Sequence, residues 1–280
     1  MLTSIEICAG AGGQALGLER AGFFHVALVE YEQSYCNTLK LNRPNWNVIC
    51  ADVKNFSGEP YRDKIDLFAG GVPCPPFSVA GRQLGSADER DLFPEALRLI
   101  EEINPRAVML ENVRGFLDPS FSDYRDFILN KIDELGYNVQ IKLLNASDYG
   151  VPQLRPRVVI VGIRKDIKGV FSYIAPTIVG GSKKHGGPDL GPVRARKAWA
   201  ALGVDGLGIA NEAPQKSFEG MPRLTPRMIA RIQGFPDSWD FGNKKTAACR
   251  MIGNAFPPPV AQAVGEEIKR VLEKNEGADC

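Results

Sequence analysis

Two histidines and six cysteines are all the imidazole and thiol that this chain of 280 residues offers a metal ion. The cysteines stand at 8, 36, 50, 74, 249 and 280. They include no C-x-x-C pair and have no histidine at zinc-site spacing, so neither a metal site nor a disulfide framework is expected, and the thiols are read as reduced. No run of about eighteen apolar residues occurs, and the start "MLTSIEICAG" has no basic segment leading into a long apolar one. The expectation is a soluble protein of the cytoplasm, without a membrane partner. Charge of one sign is missing too: 34 Lys and Arg against 33 Asp and Glu leave a net charge of +1. Any nucleic-acid surface must therefore be local. What is abundant is apolar material, 44% of the chain, enough for one large domain with room for a smaller lobe.

Short β-rich runs alternate with helix-period stretches. "TSIEICA", "HVALVE", "NVICAD", "DLFAGG", "AVMLEN", "VQIKLLN" and "RVVIVGI" read as strands, and "GGQALGLERAG", "EQSYCNTLKLN", "LFPEALRLIEEI" and "YRDFILNKIDELG" as the helices between them. This alternation predicts right-handed βαβ units around a mostly parallel sheet. The last two strands are joined by "NASDYGVPQLRPR", which has no helical period, so one of them is expected to run antiparallel. Beyond Arg164 the texture becomes loop-like, and residues 164–197 carry eight Lys or Arg against two Asp, a basic face. Order returns at "LTPRMIARIQGFPDSW", where Thr225 can cap a helix begun by Pro226, with Met228, Ile229 and Ile232 on one face. The tail places Val260, Val264, Ile268, Val271 and Leu272 at helical spacing, predicting a helix that packs back on the sheet.

Four places carry chemistry beyond what a fold needs. "CAGAGG" closes the first strand with a glycine turn, and Glu30 and Asp52 close the second and third, an arrangement suited to a nucleoside. The glycines at 10, 12, 13 and 17 do not give the G-x-G-x-x-G spacing of dinucleotide enzymes. "GGVPCPPFSVAG" fixes Cys74 among Pro73, Pro75 and Pro76 just after the fourth strand. Prolines exclude helix and central strand there, leaving a shaped loop. Taken alone, Cys74 reads as a small buried structural thiol in a turn. "LENVRG" puts Glu111 at the carboxyl edge of the fifth strand, where open α/β sheets bind ligands. "QLRPRV" adds Arg155 and Arg157, alternate residues whose side chains should share one face.

In chain order "AGAGG", Glu30-Tyr31, "ADV", "GGVPCPPFS", "ENVRG", "QLRPRV", "RLTPRMIARIQGFPDSW" and "IGNAFPPPVA" closely resemble the C5-cytosine DNA methyltransferases of bacterial restriction-modification systems, over nearly the whole chain. The resemblance implies a Rossmann-like, S-adenosylmethionine-dependent α/β sheet of seven strands, one antiparallel, with a small loop-rich recognition lobe. It divides the chain into a catalytic and cofactor-binding domain (1–165), a short target-recognition region (166–222) and a segment completing the catalytic domain (223–280).

For the site, the resemblance assigns Cys74 to attack on cytosine C6, Glu111 to the N3 and N4 edge, and Arg157, helped by Arg155, to O2. It gives the methyl donor S-adenosylmethionine to Cys8, Gly10, Gly12 and Gly13, to Glu30 at the ribose, and to Tyr31 and Val53 around the adenine. Asp52 takes the adenine amine, with Pro73, Leu92, Asn254 and Ala255 completing the site. S-adenosylhomocysteine is the product and no metal is implied. Duplex DNA is the implied partner, gripped by Ser78 and Arg82 in the loop that closes on it. Thr177, Lys183, Lys184, His185, Arg194 and Arg196 contact it from the recognition region. A monomer is expected, with a cognate restriction endonuclease acting separately.

Three departures stand out. Cys8 replaces the family's usual Phe, Pro75 replaces Gln after the cysteine, and the recognition region is short, with a deletion placed around residues 166–176. Methylation of RNA cytosine on the same fold, and DNA binding with impaired turnover, are the alternative readings.

Overall fold

β1 (Thr3–Ile7), β2 (Phe24–Glu30) and β4 (Leu67–Gly70) form because each is a short apolar run, bounded by turn residues, that can be covered on both sides. This computed structural model describes residues 1–73, 91–153, 155–167, 193–215 and 218–276. With β3 (Val48–Cys50), β5 (Ala107–Val113), β6 (Tyr137–Asn145) and β7 (Pro156–Arg164), the strands make one sheet in the order β3-β2-β1-β4-β5-β7-β6. β7 pairs antiparallel with both β5 and β6, and the other described pairings are parallel. The antiparallel strand expected among the last two is thus β7.

Side-chain alternation divides two cores. Leu67, Ala69, Ala107, Met109, Val159 and Val161 face a layer made by α1 (Gly13–Ala21) and α8 (Pro258–Glu276). Phe68, Val108, Leu110, Val158 and Ile160 face the opposite layer, of α3 (Phe93–Ile103) and α4 (Ser122–Glu134). The five residues read from the tail are all buried in the first layer. α2 (Gln33–Asn42) follows β2 on the far side of the glycine turn.

Two local readings need correcting. The basic lobe is not loop alone: α5 (Val193–Ala201) forms on a run of good helix formers without an apolar period to announce it. α6 (Pro226–Ile232) is capped by Thr225, whose side chain accepts from the Met228 N–H, as expected, with Ala230 buried and Met228, Ile229 and Ile232 half-buried. Cys36 and Cys50 form a disulfide with Cα atoms 5.9 Å apart, because α2 folds back alongside β3, where the reading was of reduced thiols. α7 (Lys245–Asn254) was not foreseen. None of the helices among the described residues is long and apolar enough to cross a membrane.

His25 reports on this core. It is buried, its Nδ1 lies 2.8 Å from the Ser4 hydroxyl and its Nε2 lies 2.9 Å from the Ala15 carbonyl. A neutral ring protonated at Nε2 donates to the Ala15 carbonyl and accepts from the Ser4 hydroxyl, and burial pushes the imidazole down to about 4. The unfolded chain binds the proton near pH 6.5, so stability is complete above that pH and is lost as pH falls toward 4, by up to about 3 kcal/mol. Urea midpoints between pH 7 and pH 4.5 should fall more steeply in the wild type than in His25→Gln.

Candidate active site

The glycine turn, the ends of β4 and β5 and the end of α7 line a small open cavity of about 60 Å³. Of the residues expected at a cofactor, Cys8, Gly10, Gly13, Asn254 and Ala255 line it, and Glu111 lines it from the side of β5. Glu30, Tyr31, Gly12, Asp52, Val53, Pro73 and Leu92 do not.

The glycines differ in what they are for. Gly10, at φ +55°, faces open space, and its N–H donates to Glu30 Oε2 at 2.7 Å. At Gly13 a Cβ would stand 2.1 Å from the Phe256 carbonyl oxygen. At Gly12, with φ +82°, it would meet Leu39 and Trp239. Packing of the protein on itself therefore demands glycine at 12 and 13, where approach of a ligand was the expected reason.

Glu30 ends β2 with its second carboxylate oxygen accepting from the Glu32 N–H at 2.8 Å, so one carboxylate ties the glycine turn to the β2–α2 turn. Tyr31 is 73% exposed beside it, and Val53 is buried in the core below. The Asp52 side chain caps the short turn Val53–Asn55 by accepting from the Lys54 N–H. Pro73 is exposed, and Leu92 packs half-buried ahead of α3.

Two residues that the sequence reading missed are Glu6 and Gln14. Both are buried, both line the cavity, and Glu6 Oε2 and both polar atoms of the Gln14 amide have no partner among the described residues. Burial, then the nearby Glu30, push the Glu6 carboxyl up. The Cys8 thiol is pushed up as well, by burial and then by Glu30, Glu6 and Asp52, so it stays a neutral thiol. Its backbone is left-handed at φ 52°, unusual for a residue with a side chain. Two carboxyl groups, Glu6 and Glu111, and the Gln14 amide thus give the cavity a polar, incompletely satisfied wall, which suits a polar ligand.

At the other end, antiparallel pairing sets Val113 opposite Arg157, which makes Glu111 the diagonal neighbour of Arg157. Arg157 Nε lies 2.6 Å from Glu111 Oε1, an ion-pair contact without hydrogen-bond alignment. Burial raises the Glu111 carboxyl, against the pull of Arg157 and Arg155. The carboxyl can thus carry a proton while two cations stand close. Arg155 precedes β7 and is fully buried, and it turns to α7, donating from Nη2 to the Gly253 carbonyl at 2.7 Å. Asn112, also missed, donates to the Val72 carbonyl at 3.0 Å and so ties the end of β4 to β5, two residues before Cys74.

Cys74, Ser78, Arg82, Thr177, Lys183, Lys184 and His185 lie outside the described residues, as does the Arg194 side chain. Arg196 sits half-buried on α5, whose backbone presses against Gly206. Among the described residues no cluster of His, Cys, Asp or Glu could hold a metal ion.

The family described as C-5 cytosine-specific DNA methylase matches residues 2–189 and 181–270. The chain is 53% identical to the Type II methyltransferase M.NgoMIV of Neisseria gonorrhoeae, with 97% of this chain and 98% of that protein covered. It is 47% identical to the Type II methyltransferase M.NaeI of Lentzea aerocolonigenes, with 99% and 77% covered. The first alignment runs over 311 positions, more than the chain's own 280 residues, so that relative has segments this chain lacks. A crystal structure of a candidate DNA modification methyltransferase from an E. coli prophage superposes with a TM-score of 0.72 at 24% identity, covering 98% of this chain and all of the other.

Proposed function

This chain belongs to the C-5 cytosine-specific DNA methylase family, and from that premise we propose that it methylates C5 of a flipped-out cytosine in a specific duplex DNA site, the reaction of EC 2.1.1.37. S-adenosylmethionine is the methyl donor of this reading, and when bound it presents an electrophilic sulfonium methyl group. The observation that carries the reading is the cavity itself. Its buried Glu6 carboxyl, whose Oε2 has no partner among the described residues, and its unpartnered Gln14 amide offer polar contacts to the amino-acid end of the donor. Glu30 holds the ribose hydroxyls, Tyr31 and Val53 the adenine faces, Asp52 the adenine amine, and Asn254 and Ala255 the methionine end. Gly10 leaves room for the ligand, and Cys8, Pro73 and Leu92 border it.

On the substrate, the Cys74 thiolate adds to C6. The ring's electrons move onto C5 as Glu111 delivers a proton to N3, and Arg157 holds O2. C5 takes the methyl group as its bond to sulfur breaks, leaving S-adenosylhomocysteine. The C5 proton then passes to a solvent base, the Cys74 thiolate leaves C6, and N3 returns its proton to Glu111, which restores the aromatic ring. The raised Glu111 carboxyl supports the proton-donor role. A base inside a duplex stack hides C6, so flipping is required, at a cost of a few kcal/mol.

The residues expected at the DNA divide between the loop carrying Ser78 and Arg82 and the region 166–222, with Thr177, Lys183, Lys184, His185, Arg194 and Arg196. Lys and Arg there grip phosphates, and one or two side chains read base edges. The protein acts in the bacterial cytoplasm as a monomer, protecting DNA from a separate endonuclease. Labelled methyl transfer from S-adenosylmethionine to unmethylated genomic DNA tests this, with transfer RNA run alongside. Label is expected in DNA as 5-methylcytosine, and label confined to RNA would overturn the substrate assignment.

A further inference from the structure

Asn254 closes α7 on the wall of the cavity, and its side chain shares a hydrogen bond with the Tyr35 hydroxyl. The last carbonyls of a helix have no partner within it. Here two buried side chains take the carbonyls on either side of Asn254. Arg155 Nη2 donates to the Gly253 oxygen at 2.7 Å, and Gln233 Nε2 donates to the Ala255 oxygen at 2.6 Å. Gln233 is only 1% exposed, and its Oε1 accepts from Gln153 Nε2 at 2.5 Å. Gln153 and Arg155 leave the same short segment, and two residues later comes Arg157, the partner of Glu111. Both carbonyls that bracket Asn254 are therefore tied to the stretch of chain that forms the base pocket.

We infer that Gln233 and Arg155 are positioning residues that clamp Asn254 against the methyl donor and fix the cofactor wall to the base pocket. The inference rests on the reading of the cavity as the methyl-donor site, and it moves Arg155 from the O2 of cytosine to the frame behind it. Arg155 Nε and Nη1 have no partner among the described residues, so its hydrogen bond to Gly253 is what anchors the guanidinium. Gln233 is chemically matched to its place, because one amide both donates and accepts. A methionine there fills the same volume and makes neither bond. A glutamate still accepts from Gln153, yet donates to Ala255 only when protonated.

Calorimetric binding of S-adenosylhomocysteine needs no turnover and reads the clamp directly. Gln233→Met is expected to weaken binding about tenfold while affinity for duplex DNA stays within about twofold. Gln233→Glu should bind poorly at pH 8 and regain affinity toward pH 6, a rise absent from the wild type and from Gln233→Met. Arg155→Lys, which keeps a cationic N–H donor, should lose less affinity than Arg155→Met. Unchanged binding in folded Gln233→Met, equal loss of DNA affinity, or a flat pH response in Gln233→Glu would overturn the positioning role alone. A wild type that binds no S-adenosylhomocysteine would overturn the methyl-donor reading beneath it.

Discussion

Cys74→Ser is expected to abolish transfer to DNA, by about four orders of magnitude or more, while S-adenosylhomocysteine binding stays within about twofold of wild type. The thiolate is the group that makes C5 reactive, and a serine hydroxyl at neutral pH is too weakly ionised to replace it. The described walls of the cavity are the glycine turn, Glu111 and the end of α7, all of which this variant leaves unchanged. Chemistry and cofactor binding should therefore separate cleanly in this variant. Cys8 will not substitute, since burial and three neighbouring carboxylates keep it a neutral thiol. Single-turnover transfer and calorimetry on the same preparation check both halves.

Gly13→Ala is expected to destabilise the protein by about 3 kcal/mol or more and to lower the melting temperature by roughly 6–12 °C. Its Cβ would stand 2.1 Å from the Phe256 carbonyl oxygen and 3.1 Å from the Ala255 Cβ. The obstacle is backbone, so α1 and the chain entering α8 must move apart. Gly17→Ala makes the same test one turn later, with 2.4 Å to the Pro258 oxygen, at a position away from the cavity. Gly10→Ala is the contrast. It meets nothing nearer than 3.9 Å and pays only the strain of its left-handed backbone, about 1–2 kcal/mol. Thermal melts of the three variants should rank Gly13 and Gly17 together below Gly10.

The glycines also show how far the sequence could be read. That "CAGAGG" is a strand-to-helix turn beside a ligand is legible in its spacing. That Gly12 and Gly13 answer to Trp239 and Phe256 is not, because those partners lie more than two hundred residues away and only folding brings them close. α8 was legible since its apolar period is long and faces a core. α5 and α7 were not, α5 for want of an apolar stripe and α7 because "IGNAF" reads as a motif before it reads as a helix end. Glu6 escaped notice because an acidic residue inside a strand looks like ordinary alternation until both faces of the sheet prove to be covered. Glu111 and Arg157 were legible as strand-end residues, and the antiparallel register of β5 and β7 supplies the reason they meet. Arg155 was legible as a companion of Arg157 at the strand entry but not as a clamp on Gly253 of α7.

The measurement that tests the central claim most directly is a covalent trap. The protein is incubated with S-adenosylmethionine and duplex DNA in which 5-fluorocytosine replaces cytosine throughout. Fluorine at C5 cannot leave as a proton does, so the Cys74–C6 bond should persist. A stable protein–DNA adduct is predicted, dependent on S-adenosylmethionine, mapping by peptide mass to Cys74 and absent in Cys74→Ser. No adduct, or one carried by another residue, would contradict the account.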